Sequence, residues 1–131
     1  MVQASFLVPA YNEERLVGRA VRSIHGAAAD CGLTAYEVVV CDNASGDATA
    51  AEARGAGARV VPEPHRQIAR ARNTAAAASS GPWLVWLDAD AILTKDVLGA
   101  TLAALGSGQV CGGGARVALE GAELDWAARR A

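Results

Sequence analysis

At 131 residues, with 52% hydrophobic residues and a formal net charge of −2, the chain is expected to form one domain over residues 1–131 and to bury a core without staples. That charge excludes a general nucleic-acid binder, which would show a basic face. No stretch approaches the roughly 18 apolar residues of a membrane span. The cysteines Cys31, Cys41 and Cys111 lack CxxC spacing, and Phe6-Leu7-Val8 has no basic lead, so reduced thiols in a cytoplasmic protein are expected.

In chain order, Ser5–Val8 is a short apolar run ending at Pro9, the first strand. Asn12 offers an N-cap, and Leu16, Val17, Ala20, Val21 and Ile24 recur as one helical stripe up to a stop near Gly32. Tyr36–Cys41 reads as a buried strand, Asp42–Asp47 as a polar turn, Ala48–Arg54 as a short helix and Ala58–Val61 as a third strand. Pro62 and Pro64 mark a loop before the Ala-rich helix Gln67–Ser79. Gly81-Pro82 ends that helix, and Trp83–Leu87 is the next strand, with its two tryptophans on opposite faces as core residues. Thr94 and Asp96 open a helix to about Leu105. Gln109–Leu119 reads as a glycine-containing strand, and the last dozen residues as helical.

Strands alternating with helices call for a parallel sheet covered on both faces. Ligands of such sheets bind beyond the carboxyl ends of the strands. Tyr11-Asn12-Glu13, Asp42-Asn43 and Asp88-Ala89-Asp90 each follow a strand, so all three clusters are expected on one rim. Asp88 and Asp90, spaced i, i+2, should point to the same side. A hard cation such as Mg²⁺ or Mn²⁺ takes oxygen ligands and commonly bridges a carboxylate to substrate phosphates. One of the two aspartates therefore suits a metal and its neighbour a sugar hydroxyl.

Four segments, Phe6-Leu7-Val8-Pro9-Ala10-Tyr11-Asn12-Glu13-Glu14, Val40 to Thr49, Ala71-Arg72-Asn73 and Leu87-Asp88-Ala89-Asp90, occur in series. Together they resemble the family-2 glycosyltransferases of the GT-A fold, whose corresponding motifs are VPxYNEE, VDDGSxDxT, ARN and DxD. The resemblance runs from Ser5 to about Val117. It implies an α/β, Rossmann-like, mostly parallel sheet and a metal-dependent transfer of a sugar from a nucleotide-diphosphate sugar, UDP- or GDP-linked, to a hydroxyl of an unknown acceptor. In that reading Tyr11 stacks on the base while the Pro9–Tyr11 backbone, with Ala10 at its centre, supplies edge contacts. Asp42 accepts from the base's imide N–H, Asp88 meets the ribose with Ala89 beside it, and Asp90 binds Mn²⁺ or Mg²⁺. Glu13 joins the binding set, although an acid in the first turn of a helix is also favoured by the helix dipole. Of Arg66 and Arg72, one is expected to reach the base or a phosphate. Asn73 is expected to tie loops together, and Ser45 and Asp47 to serve as cap and turn residues.

Two departures from the family pattern carry expectations. Ala44 stands where a glycine is common. Only 41 residues follow Asp90, and their acids (Asp96, Glu120, Glu123 and Asp125) match no motif, so no catalytic base is assigned. The chain is accordingly expected to be a donor-binding portion truncated before its acceptor half, or one that completes its site by self-association. The alternative is a module that holds a nucleotide or nucleotide sugar without turnover.

Overall fold

The structure, a computed structural model, describes residues 1–114. Strand β1 (Ala4–Ala10) is followed by helix α1 (Val17–Asp30), β2 (Tyr36–Asp42), α2 (Thr49–Gly55), β3 (Arg59–Pro62), α3 (Ile68–Ala78), β4 (Trp83–Trp86) and α4 (Lys95–Gly106). The four strands form one parallel sheet in the order β3-β2-β1-β4. Among the described residues no helix is long and apolar enough to cross a membrane.

All seven residues of β1 are buried, because this central strand is covered on both faces. Ala4, Phe6, Val8 and Ala10 meet Val17, Val21, Ile24 and Ala28 of α1, together with Ala53 of α2 and Leu98 of α4. On the other face Leu7, Val39 and Cys41 meet Ala71 and Ala75 of α3. Those two alanines, four apart on one helical stripe, let α3 lie close to the sheet. Trp83 packs with the first cluster and Trp86 with the second, the opposite faces that their spacing predicts. Burial pushes the Cys41 thiol up to about 11, with the Glu63 and Asp42 charges adding to it. It therefore stays protonated and acts as a small core residue.

Helix α1 starts later than expected, at Val17 with Leu16 as its cap. Asn12 does not cap it: its backbone is left-handed (φ 50°) and its Oδ1 accepts from Gly46 N instead. The stop at Gly32 holds. Gly32 has φ +71°, and Leu33 N reaches back to Ala28 O at 2.9 Å while Gly32 N reaches Ala29 O at 3.1 Å. This is the closing pattern that favours a residue without Cβ. Thr94 caps α4 by accepting from Val97 N. The strand expected over Gln109–Leu119 is not formed in its described part, where residues 109–114 are irregular. Gly112, Gly113 and Gly114 offer no side chains to pack against a sheet. The remainder of that segment and the helical tail lie outside the described residues.

A carboxylate locks the amino-terminal end of the sheet. Glu37 Oε2 accepts from Ser5 Oγ at 2.6 Å, Ser80 N at 2.6 Å and Ser80 Oγ at 2.8 Å, and its Oε1 accepts from Arg59 at 2.9 Å. Buried Ser5 in turn accepts from Gly81 N at 2.8 Å. Three strands and the α3–β4 connection are thus held by one side chain. Desolvation alone would raise the Glu37 carboxyl, but the hydrogen bonds from Ser5, Arg59 and Ser80 outweigh it and bring it down to about 2.

Candidate functional site

The chain runs outward from β1 through β2 to β3, then crosses by α3 on the opposite face to place β4 on the other side of β1. The reversal puts a topological switch point between β1 and β4, and in open α/β sheets the ligand crevice lies beyond the carboxyl ends of the strands at such a point. Ala10 pairs in register with Asp42, and Asp42 with Pro62, so the loops after β1, β2 and β3 leave the sheet side by side.

The first two of these loops are laced together. Asn12 N donates to Ser45 Oγ and Glu13 N to Thr49 Oγ1, each at 2.9 Å. Glu14 N donates to Asp47 Oδ2 at 3.3 Å, and Ala48 N returns to Glu14 Oε2 at 3.1 Å. Ser45 and Asp47 are thus engaged within the loops: Asp47 also accepts from the hydroxyl and backbone N–H of Thr49 at the start of α2, which holds its carboxyl below the ordinary range, while Ala48 takes the cap position itself. Asp42 shares in the turn, since its Oδ1 accepts from Ser45 N at 3.1 Å. Ala44, where a glycine is common, has φ 61°, in the left-handed region that a Cβ disfavours.

The side chains of Pro9 and Ala10 are buried, so these positions offer a ligand only backbone. Tyr11 is 38% exposed. Arg66 donates to its hydroxyl and lays its guanidinium over the ring, 4.8 Å from the centroid. Arg72 lies elsewhere, over the Trp86 ring at 4.7 Å. Of the two arginines, Arg66 is the one the fold brings to Tyr11.

Asp88-Ala89-Asp90 lies just past β4, in a turn closed by Ala91 N on Asp88 O at 3.0 Å. Strand alternation therefore does not orient the two carboxylates as the spacing suggested. Ala89 turns into the core at 4% exposure, and both aspartates are exposed. The turn is anchored from below: Leu93 is buried, and its N donates at 2.9 Å to Ser23 Oγ of α1, which itself donates to Ala20 O. Glu13 registers the neighbouring acids. Its carboxyl is raised by burial first, then by the charges of Asp90 and Asp47, so the loop after β1 and the turn after β4 share one electrostatic environment.

The sequence does not single out Ser23, and it places Asn43 on the rim beside Asp42 without a role of its own. Asn43 is 4% exposed and ties the loop after β3 to the rim. Its Nδ2 donates to Glu63 O at 3.0 Å and His65 O at 2.7 Å, and its Oδ1 accepts from Gln67 N at 3.0 Å. The loop-tying role expected of Asn73 falls to Asn43. Asn73 is exposed and makes no side-chain hydrogen bond among the described residues. An asparagine with its whole amide engaged could have been suspected from its place directly after a buried strand.

No group of three or more His, Cys, Asp or Glu side chains that could cage a metal exists among the described residues. Exposed Asp88 and Asp90, the latter of which raises the Glu13 carboxyl by its charge, fit the other mode, in which Mg²⁺ or Mn²⁺ uses one or two carboxylates, water and substrate phosphates. Beside them a shallow hollow of about 200 Å³ is lined by Asn12, Glu13, Glu14, Arg15, Leu16 and Asp47. It is smaller than the roughly 300–1,000 Å³ of enclosed small-molecule pockets, so the crevice rather than the hollow is the candidate seat.

A parallel sheet in the order β3-β2-β1-β4 with helices on both faces defines an α/β, Rossmann-like domain. The chain belongs to glycosyl transferase family 2, whose family model matches residues 5–130. Its fold is that of the GT-A glycosyltransferases. Glucosyl-3-phosphoglycerate synthase of Mycobacterium tuberculosis superposes with a TM-score of 0.70 at 27% identity, over 82% of this chain and 42% of that one. The same enzyme with Mg²⁺ and uridine diphosphate gives a TM-score of 0.66 at 29% identity, over 79% and 39%. TarS of Staphylococcus aureus (residues 1–349), at 23% identity and a TM-score of 0.64 over 81% and 33%, is similar in fold. The chain thus spans about two-fifths or less of the length of these proteins. No curated protein sequence matches it significantly.

Proposed function

We propose that this chain binds the donor of a metal-dependent glycosyltransferase, a UDP-sugar in the first instance, for transfer of a hexosyl group to a hydroxyl acceptor. What supports this reading is that Tyr11 with its partner Arg66, Asp42 and the Asp88–Asp90 turn all follow the carboxyl ends of strands in one parallel sheet. The likeness to an enzyme solved with Mg²⁺ and uridine diphosphate supports it.

In this reading Tyr11 and Arg66 hold the base, and the Oδ2 of Asp42 accepts from its imide N–H. Asp88 accepts from a ribose hydroxyl, with the backbone of Pro9, Ala10 and Ala89 lining the crevice, and Glu13 bounds it on the acidic side. Arg72, stacked on Trp86 before the aspartate turn, is available to a phosphate. Asp90 holds Mn²⁺ or Mg²⁺. A divalent cation there would neutralise the diphosphate and favour its departure.

Calorimetry with UDP, UDP-glucose and a GDP-sugar, with and without Mn²⁺, tests the reading. Metal-dependent binding that is weakened in Asp90→Asn is expected. Unchanged Mn²⁺ dependence in that variant removes Asp90 from the metal site. Donor binding accompanied by release of nucleoside diphosphate marks an enzyme, and binding without release marks a module that only holds the donor.

A further inference from the structure

We propose that Asn43 is a positioning residue for the base of the donor, holding Arg66 against Tyr11 so that the pair forms the seat. The inference rests on the donor-binding reading above. Between the end of β3 at Pro62 and the start of α3 at Ile68 the chain has only five residues. Asn43 grips three of them, Glu63, His65 and Gln67, through two carbonyls and one N–H. Arg66 lies between two gripped neighbours. With its backbone held on both sides, its side chain projects to the Tyr11 ring and hydroxyl. Glu63 stiffens the same turn, accepting from His65 N and Thr74 Oγ1 at 2.9 Å each.

The chemistry specifies an amide at position 43. Two carbonyl oxygens demand a donor and one N–H demands an acceptor, which an asparagine side chain satisfies together. An aspartate there would set a carboxylate against two carbonyls. The seat so formed is a guanidinium plane backed by an aromatic ring, a surface on which a flat heterocycle stacks. The latch lies on the β2–β3 side of the rim, whereas the Asp88–Asp90 turn follows β4 at the far side of β1. Its influence should therefore fall on the base and spare the pyrophosphate.

Two ligands separate the ends of the site: UDP with Mn²⁺, and inorganic pyrophosphate with Mn²⁺. In Asn43→Ala, UDP affinity should fall about three- to tenfold while pyrophosphate affinity stays unchanged, and the loss should vanish in an Arg66→Ala background. Asn43→Asp, of the same size and keeping the bond from Gln67, carries the same comparison if the alanine variant does not fold. Arg66→Ala alone should also lower UDP affinity without touching pyrophosphate. Equal losses for both ligands, an Asn43 effect undiminished without Arg66, or full UDP affinity in Arg66→Ala would each overturn the proposal. Wild-type protein that binds neither ligand overturns the donor-binding reading itself, and this inference with it.

Discussion

Replacing Glu37 by glutamine removes one negative charge from the foot of the sheet while keeping the shape of the side chain. The carboxyl is only 15% exposed and meets four donors from Ser5, Arg59 and Ser80. Its fall from the ordinary 4.5 to about 2 corresponds to about 3 kcal/mol in favour of the charged form. Because the folded value lies below the unfolded one, that stability is present in full above pH 4.5 and is lost as pH falls towards 2. Urea unfolding of wild type and Glu37→Gln between pH 7 and pH 3 measures it directly. At pH 7 the variant should be less stable by about 3 kcal/mol, and the gap should narrow below pH 4.5 by up to about 1.4 kcal/mol per pH unit. The other carboxylates are shared by both proteins and cancel in the difference. A gap that does not change with pH, or one below about 1 kcal/mol at pH 7, would refute the account of Glu37 as an ionised clamp.

Gly81→Ala should destabilise by about 2 kcal/mol or more, read from a urea midpoint. A Cβ there would sit 2.8 Å from Ser5 Oγ and 2.9 Å from the Ala4 carbonyl carbon, and backbone cannot move aside cheaply. Ala44→Gly should instead raise the melting temperature, with a gain of about 0.5–1 kcal/mol, since it relieves an exposed left-handed alanine. Glu13→Gln should stabilise the ligand-free protein at neutral pH. The Glu13 carboxyl is raised in the fold, so its stability is full below the unfolded value and lost as pH rises. Unfolding curves of the two proteins should converge in acid.

Much of the architecture was legible because burial leaves a mark on residue type. The buried β1, apolar but for Ser5, and the helical stripe through Val17, Val21 and Ile24 have no other stable use. The gathering of three strand ends on one rim followed from topology. What escaped notice was set by contacts between loops distant in sequence. Asn12 looked like a helix cap until Gly46 and Ser45 claimed it. Arg66 and Arg72 are alike in sequence, and only the position of the Tyr11 and Trp86 rings tells them apart. The buried amide of Asn43 left no periodic trace, because one residue makes no pattern. The i, i+2 rule of a strand does not apply to Asp88 and Asp90, because they stand in a turn past β4 with Ala89 packed inward between them.

Strand β2 bears Glu37 near its beginning and Asp42 at its end, about 16 Å apart along an extended backbone. The clamp and the proposed donor site thus share one rail without sharing atoms. An engineer could fortify the lower pole for heat tolerance, or graft a new specificity onto the upper one, and expect each alteration to leave the other intact.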